Sequence, residues 1–327
     1  MSPFRVAIVI RIIIIEQGCN FSLRGSEGLG VCFCTTTDPS NSLDRLMSQA
    51  PLNPVSAVDA TPVLCGVPQT MLWTLHNRAT ESLRPDAWFR DPAAERIFQS
   101  IAFDYRAHFG RPDSSHATRS QMFDEALRPW LAAHPGGTVV ELGCGLETQF
   151  QRCDDGRVRW LCVDVPDAIA VRERYLAPSE RCRHVVRSAL DLSWMDEVEA
   201  SNGVFVTAQG LFMYFPEDEV GYLISAMARR FKGGELMFDT IPRWFSRKTM
   251  AGLDITSHYR APPMPWGINR DEIETVLRAW CPHIDSVQNE PYRRFRTFPA
   301  RLGPWIAHIP VLAKLLPAIV RVRFARE

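Results

Sequence analysis

The sequence is short of several features, and each shortage removes a class of function. No apolar run reaches the roughly 20 residues needed to span a bilayer; the nearest approach, residues 6–15, is broken by Arg11. No membrane span is predicted. That stretch has the basic-then-apolar order of an export signal, but no small-residue cleavage site follows it. Charge of neither sign is in excess, since 37 Lys and Arg balance 37 Asp and Glu. The densest basic groups, Arg293 and Arg294 with Arg296, and Arg321 with Arg323 and Arg326, are too short to mark a polyanion site, so nucleic acid is not an expected partner. The nine cysteines are odd in number. Cys32 and Cys34 lack metal-binding spacing and a matching second pair, while Cys144 and Cys162 sit in apolar segments as small core residues. No metal is predicted, and a reducing, cytoplasmic setting is expected.

What is present is a strand, a two-glycine turn and a helix. Residues 138–142 read as an apolar strand that stops at Gly143-Cys144-Gly145. Glycines there allow backbone angles closed to other residues and let a ligand lie against the main chain near a helix N-terminus. The next strand, residues 159–164, ends in Asp164 at the separation of about 20 residues expected for a ribose-binding carboxylate. Nicotinamide dinucleotides and S-adenosylmethionine both use this design. A dinucleotide site wants a third glycine or alanine where this chain has Thr148, and Glu141 before the turn opposes a diphosphate while attracting an ammonium or sulfonium. The methyl donor is favoured over a nicotinamide-dependent oxidoreductase.

Residues 1–60 mix Ser, Thr, Asn, Pro and Gly without sustained periodicity. They are expected to be poorly ordered, with Met47 as an alternative translation start. From residue 70 to about 133 the spacing is helical, with Asp91-Pro92 reading as an N-cap followed by proline at the first helical position. Strands and helices then alternate to residue 239, which predicts a doubly wound α/β sheet with ligands at the carboxyl ends of its strands. Residues 239–269 lose their period and are rich in proline and aromatics, an expected insertion over the strand ends. A helix over 269–280 with Glu272 in a capping box and a strand over 284–291 follow. The tail is expected to form a docking helix over 305–324.

Several motifs together resemble the leucine carboxyl methyltransferase family, and within it the bacterial polyketide O-methyltransferases. They are Trp73 with Asn77-Arg78-Ala79 and Glu81; Asp91-Pro92-Ala93-Ala94; Arg119 to Asp124; Glu141 to Gln149 with Arg152; Val163-Asp164; Ala189-Leu190-Asp191; and Thr207 to Tyr214. The resemblance spans about residues 61–300, leaving 1–60 as an extension and 301–327 as the docking helix. It implies a class I methyltransferase, Rossmann-like and doubly wound with N-terminal helices, that uses S-adenosylmethionine. By motif position, Arg119 would meet the methionyl carboxylate, Gly143 and Gly145 would underlie the methionine portion, and Asp164 would take both ribose hydroxyls. Asp191 and Leu192 would frame the adenine, although Asp191 also reads as a helix cap. Gln209, with Gly210, stands where relatives commonly carry glutamate, which turns a charged contact to the methionyl ammonium into an amide hydrogen bond.

Methyl transfer from a sulfonium demands positioning more than side-chain chemistry. A carboxylate acceptor needs no base, whereas a phenol with pKa near 10 would be helped by a histidine or cation. His116 and His258 are the candidates, and Met213, Tyr214 and Trp244 are expected on the acceptor side. The expected acceptor is a carboxyl or phenolic oxygen of a small aromatic metabolite, with a protein C-terminal carboxyl as the alternative.

Overall fold

The computed structural model describes residues 66–296, 305 and 309–326. The expectations for residues 1–60, including Met47 as a start, lie outside the described residues. Four helices come first: α1 (Thr70–Ser82), α2 (Pro92–Ser100), α3 (Tyr105–Phe109) and α4 (Ser115–Ala133). Asp91 caps α2, its carboxylate accepting from the Ala94 amide at 3.0 Å with Pro92 at the first turn. This cap was legible because Asp followed by Pro supplies both a side-chain acceptor and a preset φ.

The alternating region is β1 (Thr138–Leu142), α5 (Gln149–Cys153), β2 (Arg159–Asp164), α6 (Pro166–Tyr175), β3 (Cys182–Val186), β4 (Val204–Ala208), α7 (Glu217–Arg230) and β5 (Glu235–Thr240). Every residue of β1, β4 and β5 is buried. Parallel strands covered on both faces need such apolar runs, which is why they could be read as strands without an alternating pattern. α8 (Arg243–Met250), the hairpin β6 (Leu253–Asp254) and β7 (Arg260–Ala261), α9 (Ile273–Trp280), β8 (Ile284–Pro291) and β9 (Ala318–Phe324) complete the described elements used below.

The main sheet has seven strands in the order β3-β2-β1-β4-β5-β9-β8. β1 to β5 pair in parallel and β9 runs antiparallel to both neighbours. The strand order reverses between β1 and β4, the place where a crevice forms at the carboxyl ends. The doubly wound architecture expected from the sequence is therefore present. No helix among the described residues is long and apolar enough to cross a membrane.

Three expectations are corrected. The tail does not form a docking helix: residues 318–324 are strand β9, inserted between β5 and β8. Ile319, Val320 and Val322 are β-branched, and such side chains pack better on a pleated surface than on a helix. The insertion is also less irregular than its proline content suggested, since it contains α8 and the β6–β7 hairpin. The helix expected from residue 269 begins at Ile273 with no side-chain cap bond from Glu272, whose carboxylate instead accepts from the Asn269 amide at 3.2 Å in the preceding turn.

Candidate cofactor site

The turn after β1 requires its glycines. Gly143 and Gly145 have φ of 62° and 41°, in the left-handed region. A Cβ on Gly143 would stand 2.8 Å from Leu211 Cδ1, and one on Gly145 would stand 3.2 Å from Met71 Cβ. Either substitution adds strain and narrows the space beside the turn. At the end of β2 the Asp164 carboxylate accepts from the Gly145 amide through Oδ2 and from the Val165 amide through Oδ1, each at 2.8 Å. Burial raises its pKa above the usual value, and these backbone bonds oppose the shift. Each oxygen keeps a second lone pair for a ligand.

The carbonyl side of the turn is held by two buried arginines. Arg172, from α6, donates to the carbonyls of Gly145 at 2.9 Å and Glu147 at 2.7 Å. Arg78, from α1, donates to the Leu146 carbonyl at 2.7 Å and pairs with Glu147. Arg152 then links Glu147 at 2.8 Å, Asp91 at 2.8 Å and Asp124 at 2.7 Å. Burial alone would raise the Glu147 carboxyl, but the charges of Arg78 and Arg152 outweigh it and hold it below the usual carboxylate range. The family motif residues Arg78, Asp91, Asp124, Glu147 and Arg152 are thus one ion network behind the turn, scattered in sequence and joined only by folding.

One cavity opens over the strand ends. Arg119, Glu141, Gly143, Gly145, Asp164, Gln209, Gly210 and Tyr214 all line it. Arg119, buried on α4, pairs with Asp239 at 3.1 Å and leaves its Nε without a partner among the described residues. Gly210 allows this approach, because a Cβ there would stand 2.7 Å from Arg119 Nη1. Glu141 accepts from Trp160 Nε1 at 3.2 Å, and its buried Oε1 has no described partner. Burial raises its pKa well above the ordinary value. Gln209 Oε1 accepts from the Ser120 hydroxyl at 3.4 Å.

The cavity does not gather every predicted residue. Asp191 is exposed, caps the short 3-10 helix over residues 192–197 by accepting from the Ser193 amide at 3.1 Å, and pairs with Arg187 at 3.3 Å. Asp191 does not line the cavity, whose wall there is Ser188 and Ala189. Leu192 packs on the core beside it. Met213 is a buried core residue. Trp244 donates to the Leu315 carbonyl at 2.9 Å, and exposed His258 lies in the β6–β7 hairpin, so neither lines the cavity. His116 is also absent from the lining; Asn77 Nδ2 lies 2.7 Å from its Nδ1, and burial with the nearby Arg119 and Arg78 charges drives its pKa well down.

Sequence reasoning missed Glu147 as a lining residue, and with it Thr70, Met71 and Thr74 on α1. Their one-face helical spacing was the available signal, and it was indistinguishable from core packing.

S-adenosylmethionine fits the residues present. The glycine cradle is one a Cβ would fill, Asp164 has free lone pairs at the second strand end, and the unpartnered Arg119 Nε matches a carboxylate.

Comparison with known proteins agrees. A model of the family "Leucine carboxyl methyltransferase" matches residues 71–228. The chain is similar to the tetracenomycin polyketide synthesis O-methyltransferase TcmP of Streptomyces glaucescens, at 32% identity over 187 residues, covering 56% of this chain and 69% of that protein. Among solved structures, a possible exported protein from Bordetella parapertussis aligns with a TM-score of 0.47 at 18% identity, over 78% of this chain and 79% of that one. The N-methyltransferase NodS from Bradyrhizobium japonicum WM9, in complex with S-adenosyl-L-homocysteine, aligns with a TM-score of 0.40 at 12% identity, over 77% and 98%. Nothing in these matches supports a nicotinamide-dependent oxidoreductase. The chain belongs to the leucine carboxyl methyltransferase family and is an S-adenosylmethionine-dependent methyltransferase.

Proposed function

We propose that the protein methylates a carboxyl or phenolic oxygen of a small aromatic, polyketide-like metabolite, in the cytoplasm. The observation that carries this reading is the composition of the cavity beside the turn. Val67, Pro68, Met71, Leu211 and Phe215 form an apolar wall with Tyr214, and no histidine or lysine lines it among the described residues. Such a wall suits a flat apolar acceptor.

Bound S-adenosylmethionine supplies an activated methyl group on a sulfonium. In this reading Arg119 meets the methionyl carboxylate through its free Nε, and Gln209 accepts from the ammonium. Asp164 takes the ribose hydroxyls, and Ser188 and Ala189 flank the adenine. Tyr214 stays protonated at neutral pH, since burial pushes its phenol up to about 12 against a hydrogen bond with Thr70. It orients the acceptor and takes no proton from it. The chain excludes water and aligns the oxygen, which supports an acceptor that is already ionised.

Turnover of a panel of aromatic carboxylic acids and phenols, measured against pH, tests this. Carboxyl acceptors are expected to give a flat profile from pH 6 to 9, and phenols one that rises as the phenol ionises, toward about pH 10. Turnover of a peptide C-terminus in preference to every small acceptor would replace the reading.

A further inference from the structure

Behind the glycine turn, Cys162, Cys182 and His184 converge on the sheet face that α6 covers. Glu141, Cys162 and His184 are aligned across β1, β2 and β3. Cys182 stands two residues before His184 and therefore on the same face. The Cys162 and Cys182 sulfurs are 3.9 Å apart, and they and a His184 ring nitrogen lie within 4.8 Å of one another. Two thiolates on one tetrahedral zinc, at about 2.3 Å each, are about 3.8 Å apart.

The imidazole is oriented for a ligand. His184 Nδ1 lies 3.2 Å from the Glu173 carboxylate, the outer partner that ligating imidazoles use, which leaves Nε2 as the lone-pair nitrogen. Arg172 now occupies these lone pairs: its Nε donates to His184 Nε2 and its Nη2 to the Cys162 sulfur, each at 3.3 Å. Glu141 Oε2 is 3.7 Å from that sulfur, and the buried Oε1 has no described partner. A dication with two thiolates is neutral, so the ion and its sulfur ligands together add no net buried charge.

We propose that Cys162, Cys182 and His184 bind a thiophilic divalent cation of the zinc type. Two metal–sulfur bonds and one metal–nitrogen bond form, and Arg172 gives up its bond to His184 Nε2. The Cys162 and Cys182 thiols release their protons to solvent as the metal–sulfur bonds form, and His184 binds through Nε2. Arg172 also holds the Gly145 and Glu147 carbonyls, so the ion and the cofactor turn share one side chain. Sequence spacing conceals the set, because residues 162, 182 and 184 meet only through strand pairing.

Titration of the reduced, metal-stripped full chain with Co2+ tests this. One equivalent is expected to develop thiolate-to-cobalt absorption and the intense visible bands of tetrahedral cobalt, and Zn2+ is expected to displace it. Cys182→Ser and His184→Ala should each weaken Co2+ binding at least about tenfold, with far-UV circular dichroism showing that both variants remain folded. Absence of the thiolate band in the wild-type chain overturns the proposal. So does a band unchanged in both variants, which would place the metal on other cysteines.

Discussion

At the residue scale, two aspartates separate what local chemistry reveals from what it hides. Asp164 was legible because a glycine turn and a strand-ending acid are read by spacing, and folding places them in direct contact. Asp191 was read from its motif as an adenine ligand, yet it lies outside the cavity lining and caps the amide of Ser193 two residues on. Asp164→Ala should cost adenosylmethionine about 3 kcal/mol of binding, roughly a hundredfold, through lost bonds to a charged acceptor. Asp191→Ala should leave the affinity within about twofold and lower the melting temperature slightly through the lost cap. Calorimetric titration of the two variants side by side checks both, and equal losses would restore Asp191 to the site.

Glu147 makes a pH-dependent claim at the same scale. Its folded pKa lies below its ordinary value of 4.5. The stability it contributes is therefore complete above that value and is lost as pH falls through the folded pKa. Glu147→Gln leaves Arg78 and Arg152 short of a buried partner and should cost about 3–5 kcal/mol at neutral pH. The gap from wild type should narrow as the medium is acidified below pH 4.5, read from urea midpoints. A gap constant over that range would show that Glu147 is not held ionised.

At the element scale, the strands of the parallel sheet were legible because burial on both faces demands continuous apolar runs. The tail was not. Leucine, isoleucine and valine at close spacing satisfy a short helix or a short strand equally well, and only pairing with β5 and β8 decides. That correction makes a prediction. Phe324, 1% exposed at the end of β9, should cost about 3–5 kcal/mol when replaced by alanine, because it belongs to the central core. Chemical denaturation would show one cooperative transition shifted to lower denaturant. A docking helix would detach separately and leave the main transition in place.

At the scale of the whole molecule, the sheet order was predictable only as a class, since sequence separates strands without ranking their neighbours. The ion network was visible as motif residues but not as pairs: Arg78 and Glu147 lie 69 positions apart, Arg152 and Asp91 lie 61 apart. Folding turns those scattered residues into the support for a single turn, and the turn sets the cofactor. The central claim is that this turn binds S-adenosylmethionine. The most direct measurement is calorimetric titration of the wild-type chain with S-adenosylmethionine, S-adenosylhomocysteine and NADH. Saturable binding of the first two with none of the third is expected, and binding of NADH alone would contradict the account.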